Sequence, residues 1–104
     1  MIIIYVTFSD AHEAESIAAR LLEAGLVACA NIFSPHTALY VWQGERKAHT
    51  EVSAIFKTVP EQFEPVRDMI RQYHSYETPC IVSWPVGQAD TAFDAWVKTA
   101  SGGA

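Results

Sequence analysis

The segment Ile2-Ile3-Ile4-Tyr5-Val6 sends apolar side chains to both sides of any strand it forms. Successive residues of a strand point to opposite faces, so a sheet with one wet face alternates apolar and polar. This segment does not alternate, and Cys80-Ile81-Val82-Ser83-Trp84 nearly repeats the pattern. Tyr40-Val41-Trp42 adds further aromatic surface close to a turn signal. The chain has 104 residues, half of them hydrophobic, which predicts one compact domain over residues 1–104. A bare apolar sheet face on so small a domain exceeds what monomers usually tolerate. Packing against sister copies in a closed homo-oligomer is the expected cover; loops or the last helix are the alternative.

The remaining periodicity fixes the order of elements. Residues 2–8 read as a first strand. Asp10 followed by Glu13 is a capping pair at a helix start, with Asp in place of the usual Ser or Thr. Ala14, Ile17, Ala18, Leu21 and Leu22 follow at helical spacing, and Gly25 suits the left-handed residue that ends a helix, here spanning roughly 11–24. A second strand runs from Leu26 to about Phe33, broken by Ser34-Pro35-His36. A third begins near Leu39, and Gln43-Gly44-Glu45 signals a turn before another strand from Thr50 to Lys57. Residues 39–57 fit either one long bent strand or a hairpin. Phe63, Val66, Met69, Ile70 and Tyr73 mark a second helix, which either kinks at Pro65 or begins near Glu64 with Pro65 at its first position. Cys80 to Trp84 forms the last strand, Asp90 caps a final helix carrying Phe93, Trp96, Val97 and Ala100, and residues 101–104 are expected to fray. The order β-α-β-β-α-β plus a C-terminal helix is the α+β, ferredoxin-like split βαβ arrangement: an antiparallel sheet with helices on one face.

Charge narrows the function classes. The formal charge is −5, and seven Lys and Arg are scattered without a basic stripe. Nucleic acid and anionic membrane partners require clustered cations and are not expected. No stretch is apolar for long enough to span a bilayer, and the apolar start lacks a basic leader and a small-residue cleavage site. A mature cytoplasmic protein is expected, with Cys29 and Cys80 kept as thiols. The sequence has no glycine-rich phosphate loop, no serine nucleophile elbow and no His-Glu-x-x-His. A Cys29–His74 pair would lack a third, orienting group, so no enzyme activity is expected.

Several short segments resemble the CutA divalent-cation tolerance family in order and spacing across nearly the whole chain. They are Thr7 after the first strand, Leu26-Val27-Ala28-Cys29-Ala30-Asn31-Ile32, Tyr40-Val41-Trp42-Gln43-Gly44-Glu45, Lys57-Thr58, and His74-Ser75-Tyr76-Glu77-Thr78-Pro79. The resemblance implies a ferredoxin-like subunit in a tight homotrimer, its sheets facing the three-fold axis. It also implies a role in tolerance of copper and other divalent metals, copper binding in some members, and no catalytic activity. The sequence departs from the family's pattern at four places. Ser75 replaces a Pro after the His, Cys80 replaces a carboxylate after Thr-Pro, Phe93 replaces a Tyr, and Val6 stands where some members carry a metal-site Cys.

Soft and polar groups near the last helix-to-strand junction supply candidate ligands. Neutral imidazole suits copper, zinc and nickel, so His74 is one; it could equally bond the free carbonyls of the helix end. Glu77 either ligates beside it or bonds the turn. Cys80 joins them if the turn folds back. Cys29 offers a thiolate suited to copper(I), or is a small residue packed at a subunit contact. The candidate metal set is His74, Glu77, Cys29 and Cys80, for copper or another divalent ion, with no cofactor required for folding. Tyr76 either anchors a subunit contact or lines a cleft. His12, His36 and His49 are expected to be exposed, Trp42 and Trp84 to be packing aromatics, and Glu51 and Lys57 to be solvated, ion-paired or beside an intersubunit cleft. Two other readings compete with metal tolerance: a PII-like sensor of a small effector held between subunits by His74, Tyr76, Glu77 and Trp42, and a trimeric scaffold for a protein partner that the sequence does not name.

Overall fold

A computed structural model, describing residues 1–102, shows an antiparallel sheet with helices against one face. Strand β1 (Ile2–Phe8) leads into α1 (Ala11–Glu23), then β2 (Cys29–Ile32), β3 (His36–Trp42) and β4 (Glu45–Thr58). A short 3-10 turn at Pro60–Gln62 opens α2 (Phe63–Tyr73), followed by β5 (Ile81–Pro85) and α3 (Thr91–Ala100). The sheet order is β2-β4-β1-β5, with β3 paired to the outer half of β4. This is the split βαβ order expected from the sequence.

Helix α1 is set at both ends by short-range chemistry. Asp10 Oδ1 accepts from the Glu13 N–H at 2.8 Å, capping one of the free amides of the first turn. At the other end Gly25 takes φ +69°, and the N–H groups of Gly25 and Leu26 donate to the Leu22 and Leu21 carbonyls at 3.0 and 3.1 Å. This paired closure requires a left-handed residue, which glycine adopts without a Cβ penalty. In α2, Pro65 is the third helical residue, so its missing N–H falls among amides that have no intrahelical partner. No kink is required, and the helix begins one residue before the Glu64 start that the sequence allowed.

The central strand explains the apolar run at the chain start. Ile2, Ile4, Val6 and Phe8 are buried against Ala14, Ile17, Leu21, Val66 and Ile70 of the two helices. Each fully buried side chain of this size contributes roughly 1.5–3 kcal/mol. Ile3 and Tyr5 point to the opposite face, where the register sets them beside Ile55, Val82 and Trp84. Within one chain that second face stays partly open, with Trp84 44% exposed. Helix α3 docks at the end of β4, where the Gln62 side-chain amide donates to the Ser101 carbonyl at 3.1 Å.

Residues 39–57 prove to be a hairpin built on a long strand. The outer half of β4 pairs only with β3, and the inner half is shared by β1 and β2. Gln43 and Gly44 both have positive φ, +52° and +78°, the two-residue turn whose twist matches a hairpin. The β3–β4 arm projects from the body, and the radius of gyration is 14.4 Å. A compact chain of this length would have about 13 Å. Along the arm Val41 is 70% and Trp42 60% exposed. The expected fraying of residues 101–104 fails at Ser101, which is buried and donates its hydroxyl to the Val97 carbonyl at 2.5 Å. Gly103 and Ala104 lie outside the described residues.

Candidate functional site

The segment from His74 to Cys80 links α2 to β5 and crosses the end of β1. Its position is fixed by side chains from distant elements. The Tyr76 N–H donates to His74 Nδ1 at 3.0 Å, and His74 Nε2 lies 2.8 Å from the Thr7 carbonyl. A backbone N–H only donates and a carbonyl only accepts, so the ring is the neutral Nε2–H tautomer. The ring stacks on Phe8 with centroids 5.2 Å apart and leans on Tyr76 at 4.7 Å. Glu13 reaches across from α1, its Oε2 accepting from the Ser75 N–H at 2.8 Å while Oε1 accepts from the Ser9 N–H at 3.0 Å. Partial burial pushes the Glu13 carboxyl up. Hydrogen bonds from Ser9 and Ser75 outweigh that and hold it below the usual carboxylate range.

From the far side of the turn, the Tyr76 hydroxyl donates to Glu51 Oε2 at 2.9 Å. His49 Nε2 is 3.7 Å from the same oxygen, and His49 Nδ1 is 3.0 Å from the Tyr40 hydroxyl. A polar chain therefore runs from the turn, across β4, to β3. The Glu51 side chain is only 12% exposed, so of the roles open to it in the sequence the structure excludes the solvated one and puts it beside His49 at the groove. Burial, then the hydrogen bond and charge of Glu51, push the Tyr76 phenol up to about 12. Burial and the same carboxylate push the Cys80 thiol up, which favours its protonated form.

Turn and arm together enclose a groove of about 610 Å³. Leu39, Tyr40 and Trp42 form its apolar wall. Glu51, Tyr76, Glu77 and Cys80 supply its polar side. Such a volume lies within the roughly 300–1,000 Å³ typical of small-molecule sites.

The four candidate ligands are not gathered in one chain. Glu77 and Cys80 share the groove. The His74 side chain is 0% exposed with both ring nitrogens engaged, so it holds the turn and does not face the groove. Cys29 lies on β2, at the opposite edge of the sheet from Cys80 and β5. Three strand spacings separate those edges, about 14 Å. Among the described residues, no three His, Cys, Asp or Glu side chains are grouped to hold a metal ion. Of the four candidates a single chain thus brings Glu77 and Cys80, one hard donor and one soft, to a groove that Glu51 and His49 also line, without a grouped coordination set.

Sequence reasoning missed Glu13 as a clasp and underrated Glu51. Glu13 already had a local role as a capping residue, and nothing local marks its second partner at Ser75. Glu51 stands in an alternating strand pattern that reads as solvent-facing until Tyr76 arrives from the other end of the chain. His36 also departs from expectation: it is half-buried and bonded to the Ser53 hydroxyl, which bonds the Tyr5 hydroxyl at 2.8 Å.

Comparison with known proteins agrees with this architecture. Residues 2–100 match the family described as CutA1 divalent ion tolerance protein. The divalent-cation tolerance protein CutA of Archaeoglobus fulgidus is 45% identical over 94 residues, covering 90% of this chain and 91% of that protein. Its counterpart in Pyrococcus horikoshii is 36% identical over 97 residues, covering 93% and 94%. The Archaeoglobus fulgidus structure, described as a periplasmic divalent cation tolerance protein CutA, superposes with a TM-score of 0.93 at 42% identity, covering 97% of this chain and 99% of that one. CutA1 from Pyrococcus horikoshii superposes with a TM-score of 0.91 at 34% identity, covering 97% and 98%. With residues 2–100 matched by the family and the fold superposing over 97% of the chain, this chain belongs to the CutA1 divalent ion tolerance family.

Proposed function

We propose that this protein acts in tolerance of copper or another divalent metal as a homotrimer that holds the ion reversibly at donors facing the groove. Glu77 and Cys80 are the ligands this chain offers, and donors from a second subunit or water complete the shell. The observation that carries this reading is that a carboxylate and a thiol line one open groove in a chain of the divalent ion tolerance family. The metal is cargo and not a structural part, because the apolar core is built without it. Association is supported by the partly open face around Tyr5, Val82 and Trp84 and by the exposed arm. The role is one of binding, without catalysis, and with no nucleic acid or membrane partner. No helix of the described residues is long and apolar enough to cross a membrane. A cytoplasmic location is part of the proposal, to be checked by fractionation, since the Archaeoglobus fulgidus structure is described as periplasmic.

The test is metal content of the protein as purified, followed by titration with Cu(I), Cu(II) and Zn(II). The Glu77→Gln, Cys80→Ala double variant should lose binding. Equal affinity in the double variant and the parent would overturn the site. A second reading, a sensor of a small effector, is favoured by one observation: the apolar wall of Leu39, Tyr40 and Trp42 faces converging polar groups across a ligand-sized space. A thermal-shift screen of metabolites in metal-free buffer separates the two.

A further inference from the structure

On the other side of the 74–80 turn lies a smaller cleft of about 160 Å³, lined by Arg67, Arg71, Thr78, Pro79 and Ile81. We propose that this cleft is a site for a phosphate-type oxyanion, distinct from the groove and independent of the metal reading. Arg67 and Arg71 are four residues apart on α2, so their side chains lie on one helical face. Like charges at that spacing are unfavourable by themselves. The helix dipole accounts for Arg71, which is in the last turn, but its effect fades before Arg67. Arg67 gives one edge of its guanidinium to Asp68, Nε and Nη2 donating to Oδ1 at 3.2 and 3.1 Å, and keeps its Nη1 side. Among the described residues, neither the Arg71 guanidinium nor the Thr78 hydroxyl has a hydrogen-bond partner. One unpaired fork, the remaining edge of a second and a hydroxyl therefore line a concavity backed by Pro79 and Ile81. Guanidinium forks match tetrahedral oxyanions in a bidentate manner, and an apolar backing strengthens such contacts. The volume fits one oxyanion and a little water, well below the roughly 300 Å³ at which drug-sized pockets begin. At a net charge of −5 the chain repels anions at long range, so capture must come from this local arginine pair, with Arg71 supplying the free fork.

The test follows the arginine Nε–H resonances of the intact protein during titration with inorganic phosphate. Saturable shifts confined to Arg67 and Arg71 are expected. Arg71→Gln should lower affinity at least about tenfold, the worth of one charge-assisted contact. Arg71→Lys, which keeps charge but loses the fork, should fall between. Arg46→Gln, on the distant arm, should match the parent, and circular dichroism confirms that each variant is folded. A phosphate ester such as glycerol phosphate, compared with free phosphate, tells whether the oxyanion is free or carried on a small molecule, and either result supports the site. Equal binding by Arg71→Gln, equal shifts at Arg20 and Arg46, or acetate binding as tightly as phosphate would overturn it.

Discussion

Glu13 and Ser75 lie 62 positions apart in sequence, yet the Ser75 N–H donates to Glu13 Oε2 at 2.8 Å. That bond joins the first turn of α1 to the segment that floors the groove. The same carboxylate also receives the Ser9 N–H and hydroxyl, so one side chain organises three loop donors. His74 completes the clasp from the other direction through Thr7. The turn that carries Glu77 and Cys80 is thus held at His74 and Ser75 by side-chain-to-backbone hydrogen bonds, which fix the scaffold that presents these two side chains.

Glu13 should make stability sensitive to acid. Its folded-state pKa lies below the unfolded value, so its contribution is present above the ordinary carboxylate range and is lost as pH falls through the folded value. Glu13→Ala should destabilise the fold by about 1–3 kcal/mol at neutral pH, because donors of the 9–10 and 74–76 loops lose their acceptor. The deficit should shrink as the pH falls below the ordinary carboxylate range. Urea denaturation at a series of pH values measures both; a deficit that stays constant down to acid pH would contradict the assignment.

Tyr76 works in the opposite direction. Its phenol is raised to about 12 in the folded state, against about 10 unfolded, so its contribution is whole below pH 10 and is lost as pH rises toward 12. Tyr76→Phe removes the donor to Glu51 and should cost about 1–2 kcal/mol at pH 8. Tyrosinate absorbance during alkaline titration should show one late-titrating group in the parent that is missing from Tyr76→Phe.

His74 separates a structural role from ligation. His74→Ala removes a ring with both nitrogens bonded and one face stacked on Phe8, and should cost about 2–4 kcal/mol. Metal affinity of the folded fraction should stay within about twofold of the parent. A large loss of affinity at unchanged stability would restore the imidazole to the ligand set.

Much of this architecture was legible in the sequence because its signals are local. Helical spacing in α1 and α2, Asp10 as a cap and Gly25 as a helix stop each act within a few residues, and each is where the pattern placed it. The hairpin turn was ambiguous because Gln43 is not a residue that usually adopts positive φ. The site was less legible, for a physical reason. Thr7, Glu13, Glu51 and His74 acquire their roles from partners between 25 and 67 positions away. A His after a helix reads the same whether it meets a metal or a carbonyl from β1.

Exposure along the arm makes self-association testable by charge. Val41 is 70% exposed and pairs with Arg46 across the hairpin. In Val41→Asp the new carboxylate sits opposite a guanidinium, so the hairpin itself should survive with a stability change within about 0.5 kcal/mol per chain. Sedimentation should show the parent at about three times the 11.5 kDa chain mass, the number three coming from the trimer that the family resemblance implies. The variant should shift toward monomer at low micromolar concentration. A parent that sediments as a single chain would remove the explanation for the apolar run at residues 2–6.

Metal removal distinguishes cargo from scaffold. A structural ion bound only by the native state carries folding free energy, so stripping it lowers the melting temperature sharply. Here the clasp of Glu13, His74 and Thr7 and the buried core contain no element that waits for a metal. Chelation should therefore leave the protein cooperatively folded, and any fall in melting temperature should equal what added copper restores. Added copper should then stabilise by mass action alone, reaching about 2.7 kcal/mol at a hundredfold excess over Kd. Cys80 binds as thiolate although burial and Glu51 favour its thiol, so affinity should rise with pH as the proton is released more easily. In Cys80→Ser that pH dependence should flatten, whereas a slope unchanged by the substitution would assign the released proton to another group.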